Sequence, residues 1–369
     1  MLEFSPEERE FRASVARFVE KEVAPIASES DERGEFPDGL FRRMGSLGYF
    51  GLRYPEAVGG GGAGFVFYLI LAEELARGSM SLAASAAMQA MMGTQFLFQF
   101  GTPRRHETLL KPALRGERIG AFCLSEPNAG SDLARIESTA VERDGRWFLN
   151  GRKMWVTNGT RADFFTVAAS VDRSLGIKGL RFFLVEKGAH GLSVGRRIRT
   201  LGLWAGDLTD LALEDCPAEP LGDVGSLQPL LDQIRTMTGA LGVGLGRAAL
   251  DAAARYAKDR VCFERPIAKF QAIQHHLARA AVDLEASRLL VYQAGRLVER
   301  GGPCTREAAI AKYFASESAN RIADMAVRVL AGYGFAREYD VQRHFRDARF
   351  LLIGGGTPEI LLNIIAKES

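Results

Sequence analysis

Cys123-Leu124-Ser125-Glu126-Pro127-Asn128-Ala129-Gly130-Ser131-Asp132 and, further along, Asn150-Gly151-Arg152-Lys153-Met154-Trp155-Val156-Thr157-Asn158 are the two stretches on which the reading of this chain turns. The first is a turn rich in hydroxyls and small side chains. Gly130 permits close backbone approach, Ser125 and Ser131 offer donors, and such a loop suits a phosphate or an electron-rich heterocycle. In the second, Trp155 and Thr157 fall on one face of one strand, because side chains alternate with period two. An aromatic plane beside a hydroxyl can sandwich a flat ring and bond its edge. Taken alone, a tryptophan such as Trp155 is more often ordinary core.

Outward from these stretches the texture is β-like. Asp144-Gly145, Asn150-Gly151 and Asn158-Gly159 punctuate residues 146–149 and 153–157 as hairpin turns do, and runs at 163–171, 180–186 and 208–213 continue the pattern. Helices flank this region on both sides. Ser5, Pro6 and Glu8 form a capping-box start, after which Phe11, Val15, Phe18, Val19, Val23 and Ile26 mark one apolar helical face. A second helix is expected over 40–47. Beyond the glycine loop at 59–62, the apolar stretch 65–100 contains a Met- and Ala-rich part, 80–92, that reads as a buried helix.

From residue 227 the helical period returns. Leu241, Leu245, Ala249, Ala252 and Tyr256 share one face, Ile273, Leu277, Ala281 and Leu284 another, and Ile322, Met325, Val329 and Leu330 a third. About four long amphipathic helices in succession suggest a bundle. The expected fold is therefore α+β: an N-terminal helical domain over 1–121, a middle β domain over 122–226 and a C-terminal helical bundle over 227–369.

Composition narrows the function. The 369 residues are 47% hydrophobic and 25% charged, ordinary for a globular enzyme. Lys and Arg number 47 against 45 Asp and Glu and are spread along the chain, so no basic face for nucleic acid is expected. Cys123, Cys216, Cys262 and Cys304 lie far apart with no paired spacing, which argues against a zinc site or a disulfide framework. The N-terminus is acidic where a signal or transit peptide is basic, and no apolar run approaches the ~18 residues of a membrane span. A cytoplasmic protein is the expectation.

Several motifs are tempting and carry nothing. Gly242-Val243-Gly244-Leu245-Gly246 imitates a dinucleotide fingerprint but lies inside a helical pattern, where small residues serve close packing. Gly354-Gly355-Gly356-Thr357 lacks the Lys of a Walker loop. His275 and His276 are adjacent and point about 100° apart on a helix, so they cannot grip one metal. Cys123 reads as core.

Together the two opening stretches, the later Arg260-x-x-Phe263 and the Phe270-Gln271-Ala272-Ile273-Gln274-His275 segment resemble the acyl-CoA dehydrogenase family of flavoproteins, from about Phe4 to the C-terminus. The resemblance implies the α, β, α domain order, FAD and a homotetramer. It implies that Phe122, Leu124, Ser125, Gly130 and Ser131 line the flavin, with Ser125 at the ring and Ser131 at the pyrophosphate. Trp155 would shield one flavin face and the Thr157 hydroxyl would bond its N5 edge. Arg260, Phe263 and Gln271 would reach FAD held mainly by a neighbouring subunit, and Arg328, Gly332, Thr357 and Glu359 complete the implied cofactor set. Asp232 and Arg235 would stand beside pantetheine; with Ser131 and Gly355 they form the implied substrate set. They favour a thioester of CoA or of a carrier protein, with an electron-transfer flavoprotein as the usual acceptor. The bland alternative for Asp232 and Arg235 is a solvated helix start.

The chain departs from the family where the chemistry is done. The usual base is a Glu directly before Gly-Thr, and Gly355 stands there; some branches place Glu directly before the Arg of the pantetheine helix, and Ile234 stands there. The catalytic base is therefore unidentified, although the Gly355 amide still serves to polarise a thioester carbonyl. Smaller departures are Glu264 and Ala331 for glycines, Arg328 for a Gln and Arg135 for a small residue. Losing a general base costs about 10²- to 10⁴-fold, so three readings follow. One is α,β-dehydrogenation of an acyl thioester with a base from elsewhere: Asp232 and Glu359 are poor candidates, and the 65–100 region is another source. A second is formation of the α-carbanion by decarboxylation of a substrate bearing an α-carboxylate. A third keeps the fold with other chemistry: enoyl-thioester reduction, oxygen-dependent oxidation, or thioester binding without turnover. Ile70, Glu73 and residues 88–96 are plausible pocket walls.

Overall fold

A computed structural model describes residues 3–368. The capping box forms as expected: Ser5 Oγ accepts from the Glu8 amide, and the Glu8 carboxylate accepts from the Ser5 amide at 2.9 Å. It starts α1 (Pro6–Phe18), which buries Val15 and Phe18 and runs on through a wider turn that buries Val19 and Val23. Short helices α2 (Ala27–Arg33) and α3 (Leu40–Ser46) follow. The apolar stretch becomes α4 (Phe65–Gly78), α5 (Met80–Ala87) and α6 (Gln95–Phe100), with α7 (Pro103–Arg105) and α8 (Lys111–Leu114) after it. Nearly every side chain of α4 is buried, which is why it shows little amphipathic period.

The strands are β1 (Gly120–Cys123), β2 (Thr139–Arg143), β3 (Arg146–Thr157), β4 (Phe164–Ser170), β5 (Leu180–Glu186), β6 (Leu192–Val194) and β7 (Leu208–Asp223). Their pairings close on themselves: β4 meets β1 and β2 on one edge and β5 on the other, and β5 reaches β2 through β7 and β3. Inside this barrel-like ring lie Cys123, Leu149, Val156, Phe165, Val167, Phe183 and Leu211. Its outer face turns Phe122 and Phe182 onto Phe96 of α6, so β4 is buried on both faces.

One expected turn does not exist. Asp144-Gly145 and Asn158-Gly159 do turn, but Asn150-Gly151 lies within β3, whose pairing with β7 shifts register there. The reason is a matched kink. Asp215 of β7 takes φ 45°, and the Asn150 side chain replaces the ladder by accepting the Asp215 amide and donating to its carboxylate. Gly151 is required because a Cβ there would fall 2.3 Å from Ser138 Oγ. For the same reason β7 runs past residue 213, through Pro217 and Pro220, to Asp223.

The 33-residue α9 (Leu227–Asp259) opens the bundle, followed by a hairpin, β8 (Val261–Cys262) and β9 (Arg265–Pro266), then α10 (Gln271–Glu299), α11 (Thr305–Leu330), α12 (Gly332–Phe335), α13 (Asp340–Ala348) and α14 (Pro358–Glu368). The glycines at 242–246 sit inside α9 and serve packing: a Cβ on Gly244 would meet the Glu73 carbonyl oxygen of α4 at 2.1 Å.

Candidate active site

Hydrogen bonds join the two opening stretches. The Met154 amide donates to the Ser125 carbonyl at 2.9 Å, and Lys153 Nζ donates to Glu126 Oε1 at 2.6 Å and to the Leu124 carbonyl. Both side chains are buried, and the Glu126 carboxylate also accepts the amides of Glu137 and Ser138. Burial opposes the Glu126 charge, but the Lys153 ammonium and these donors outweigh it and hold its pKa below the ordinary carboxylate range. This internal tie fixes a loop whose tip, including Gly130 and Ser131, stays exposed.

Trp155 owes its position to a bulge. The β3–β7 register shifts again between Lys153 and Val156, and Trp155 takes φ 61°. Lys153 and Val156 are thereby both buried, while Trp155 is 52% exposed and Thr157 half-buried on the other side. Asn158 then anchors the strand end, donating from Nδ2 to the Ser85 carbonyl of α5. Among the described residues the Ser125, Ser131 and Thr157 hydroxyls have no hydrogen-bond partner. An exposed indole, an open glycine and these hydroxyls form a donor set that fits a flavin and its pyrophosphate. Phe122 borders this loop without presenting its ring. Its ring is in the core, stacked 5.9 Å from Phe96, so only its backbone faces the loop.

The second half of the site lies between α9, α11 and a second glycine loop, Gly354-Gly355-Gly356, hereafter the glycine loop. Asp232 and Arg235 are both 6% exposed, which excludes a solvated helix start. Arg235 donates to Asp232 Oδ1 at 3.0 Å, and Gln228 and Thr305 occupy the rest of the Asp232 carboxylate. Burial raises the Asp232 pKa, and burial lowers that of Arg235. One turn along, Thr238 donates to the Ile234 carbonyl.

Gly355 faces this turn. With φ 76°, a Cβ built on it would lie 3.3 Å from Thr238 Oγ1 and 3.5 Å from Ile234 Cγ2. The two alternative base positions therefore converge on one spot, and neither holds a carboxylate. The amides of Gly355 and Gly356 have no partner among the described residues. The loop is held instead by Lys312 of α11, fully buried, whose Nζ donates to the Gly356 carbonyl.

No carboxylate of the 65–100 stretch is free to replace the missing base. Its acids are Glu73 and Glu74. Glu73 is bound by Arg12, Arg288 and the Tyr292 hydroxyl, and Glu74 by Arg12, Arg77 and Arg247. Burial opposes the Glu74 charge, yet its arginines keep its pKa below the ordinary range. Glu73 is thus a structural ion-pair centre rather than an open pocket wall.

The remaining expected residues lie on the outside of the bundle. Arg260 flanks the hairpin, whose turn residues Phe263 and Glu264 both take positive φ, with Phe263 88% exposed. Gln271 and Gly332 are exposed at helix starts, and Arg328 pairs with Asp324 at 2.7 Å. Thr357 caps α14 through its hydroxyl to the Ile360 amide, and Glu359 is exposed in the first turn. Glu264, at φ 62°, and Ala331, at φ 53° and ψ −125°, occupy positive-φ conformations that favour glycine. Sequence reasoning assigned no role to Lys312 or to the Lys153–Glu126 pair. The only signal for Lys312 was a lysine with alanines at positions 308, 309, 311 and 315 around it on an otherwise packed helix face.

Comparison with known proteins gives a consistent picture. The chain matches the acyl-CoA dehydrogenase N-terminal domain over residues 5–117, the middle domain over 121–216 and the C-terminal domain over 225–369. It is 49% identical to benzylmalonyl-CoA dehydrogenase of Aromatoleum aromaticum, covering 100% of this chain and 99% of that one. It is 38% identical to the 3-(aryl)acrylate reductase of Clostridium sporogenes, covering 99% of each. Among solved structures, butyryl-CoA dehydrogenase from Megasphaera elsdenii superposes with a TM-score of 0.96 at 34% identity, covering 100% and 99% of the two chains.

Proposed function

Since this chain belongs to the acyl-CoA dehydrogenase family and is an FAD-dependent oxidoreductase acting on acyl thioesters, we propose that its substrate carries a carboxylate on the α-carbon and that its oxidation is coupled to loss of CO₂. The observation that carries this reading is the convergence of Gly355 on Ile234 and Thr238 with no carboxylate. Glu73, Glu74 and Asp232 are all committed to other partners. The name of the Aromatoleum relative supports it, since a benzylmalonyl thioester bears its free carboxylate on the α-carbon.

The chemistry then needs no proton abstraction. The bond between the α-carbon and the carboxylate breaks, CO₂ leaves, and the electron pair stays on the α-carbon, delocalised into the thioester carbonyl. The β-carbon gives up a hydride and the pair becomes the new double bond. FAD supplies the acceptor for that hydride when bound. The unpartnered amides of Gly355 and Gly356 are donors for the thioester oxygen as charge gathers on it.

Trp155 would cover one flavin face and Thr157 its N5 edge. The loop at Leu124, Ser125, Gly130 and Ser131 and the Phe122 backbone would line the rest. Arg260, Phe263 and Gln271 would serve the cofactor across a subunit boundary, and Arg328, Gly332, Thr357 and Glu359 would complete the cofactor set. A homotetramer is supported by the exposed apolar residues of the bundle, Phe263, Val282, Phe335 and Ile353, each at least 69% exposed. The Asp232–Arg235 pair would border pantetheine, of CoA in this reading, with an electron-transfer flavoprotein as acceptor. No described helix is long and apolar enough to cross a membrane; a cytoplasmic site suits a CoA thioester and four free cysteines.

The test is anaerobic mixing of the FAD-loaded protein with 2-benzylmalonyl-CoA and, separately, with 3-phenylpropionyl-CoA. Bleaching of the flavin with release of one CO₂ is expected from the first only. Rapid bleaching by the second, which has no carboxylate to lose, would mean a protein base and would sink the reading.

A further inference from the structure

Lys312 is a buried cation without a carboxylate. Its side chain is fully enclosed, its Nζ bonds the carbonyl of Gly356, and among the described residues no acid lies within ion-pair distance. Glu317, further along α11, acts on it only from a distance, while the Arg235 charge on α9 opposes it. Asp232 neutralises Arg235 and is saturated by Gln228 and Thr305. The buried charges around the glycine loop are thus two cations against one anion. An uncompensated buried charge is costly, so this interior is suited to receive an anion. A base carboxylate at position 355 would provide one, and Gly355 does not.

Building on the decarboxylating reading above, we propose that Lys312 is a specificity-determining residue: the α-carboxylate of the substrate supplies the negative charge that the chain omits beside Gly355. The charge is matched throughout the step. Before bond cleavage it resides on the carboxylate. After CO₂ leaves, the same electron pair resides on the α-carbon and thioester oxygen, next to the loop that Lys312 holds. It departs only when the β-hydride is lost and the pair becomes the double bond. A plain saturated acyl thioester brings neither a charge for Lys312 nor an alternative to a base. Burial and Arg235 push the Lys312 ammonium down to about 8, which leaves it protonated at neutral pH.

The probes are malonyl-CoA and acetyl-CoA, titrated into the FAD-loaded full-length protein by calorimetry and by flavin absorbance. Malonyl-CoA bears the α-carboxylate but has no β-hydrogen, so binding is read without oxidation; chromatography reports any acetyl-CoA formed. The wild type is expected to favour malonyl-CoA by about 10- to 100-fold, the order expected when a buried cation gains an anion at an effective dielectric of ~20. Lys312→Gln keeps an N–H for the Gly356 carbonyl but no charge and should erase the preference, as should Lys312→Met; Lys312→Arg should keep most of it. An unchanged preference in Lys312→Gln overturns the assignment, and that variant decides if Lys312→Met fails to load FAD. Wild-type CO₂ release from 2-benzylmalonyl-CoA alongside an unchanged Lys312→Gln preference sinks the lysine alone. Neither CO₂ release nor preference in the wild type sinks the decarboxylating function as well.

Discussion

Lys153 and Lys312 are both fully buried, but Lys153 meets the carboxylate of Glu126 and Lys312 meets a backbone carbonyl. The first lies under the loop that the family pattern keeps intact, the second under the loop where the pattern is broken. In the β domain the charges close on one another, and the loop is shaped before any ligand arrives. At the glycine loop they do not, and the missing partner has to come with the ligand. Buried charge thus separates a region that is scaffold from a region that is completed by substrate.

The largest effect expected from this contrast is on stability. Lys153→Met strands the Glu126 carboxylate and should cost about 3–5 kcal/mol, with loss of flavin from the purified protein. Lys312→Met strands only a carbonyl and removes an unpaired charge, so the ligand-free protein should change by no more than ~1 kcal/mol. Equal losses in denaturant titrations of the two variants would break the comparison. Next comes Gly355→Glu, which places a carboxylate against Ile234 and Thr238, on the loop that Lys312 holds. Oxidation of 3-phenylpropionyl-CoA should rise about 10²-fold or more while CO₂ release from 2-benzylmalonyl-CoA falls, measured in parallel turnover assays.

A third buried charge sharpens the point. Asp347 of α13 accepts the Leu203 amide at 2.6 Å through Oδ1, its Oδ2 has no partner among the described residues, and burial pushes its pKa up to about 7. An acid raised in the folded state contributes stability that is complete below its unfolded pKa and is lost as pH climbs through about 7. Asp347→Asn keeps an acceptor for Leu203 without that loss. Between pH 5 and pH 8 the variant should gain on the wild type by on the order of 2 kcal/mol in thermal unfolding, then stay level above. The smallest effect is the backbone analogue, strain rather than charge: Ala331→Gly should add about 1 kcal/mol by relieving the positive φ.

The sequence disclosed most of the fold because its signals were local. Ser5, Pro6 and Glu8 cap a helix by themselves, and Asp144-Gly145 turns a hairpin by itself. Asn150-Gly151 misled for a non-local reason: its turn chemistry serves a kink shared with Asp215, sixty-odd positions away in the chain and adjacent in the sheet. The Trp155 and Thr157 face was legible, although a bulge rather than simple alternation produces it. Phe122 was legible as a position and not as a contact, because only packing on Phe96 shows where its ring goes. Lys312 was hidden because a lone lysine on an amphipathic helix reads as solvated; its burial depends on α9 and the glycine loop meeting it.

The length of α9 has a consequence for how this protein can change. Arg235 and Arg260, proposed above for the thioester and for the cofactor, stand towards its two ends, and the helix between them spans roughly 38 Å without a break. Deleting one residue would draw the ends together by about 1.5 Å and rotate one against the other by about 100°. The thioester end and the hairpin end could not then both keep their partners. Variation along this helix is confined to the identity of its residues, and its residue count is as much a part of the site as any side chain.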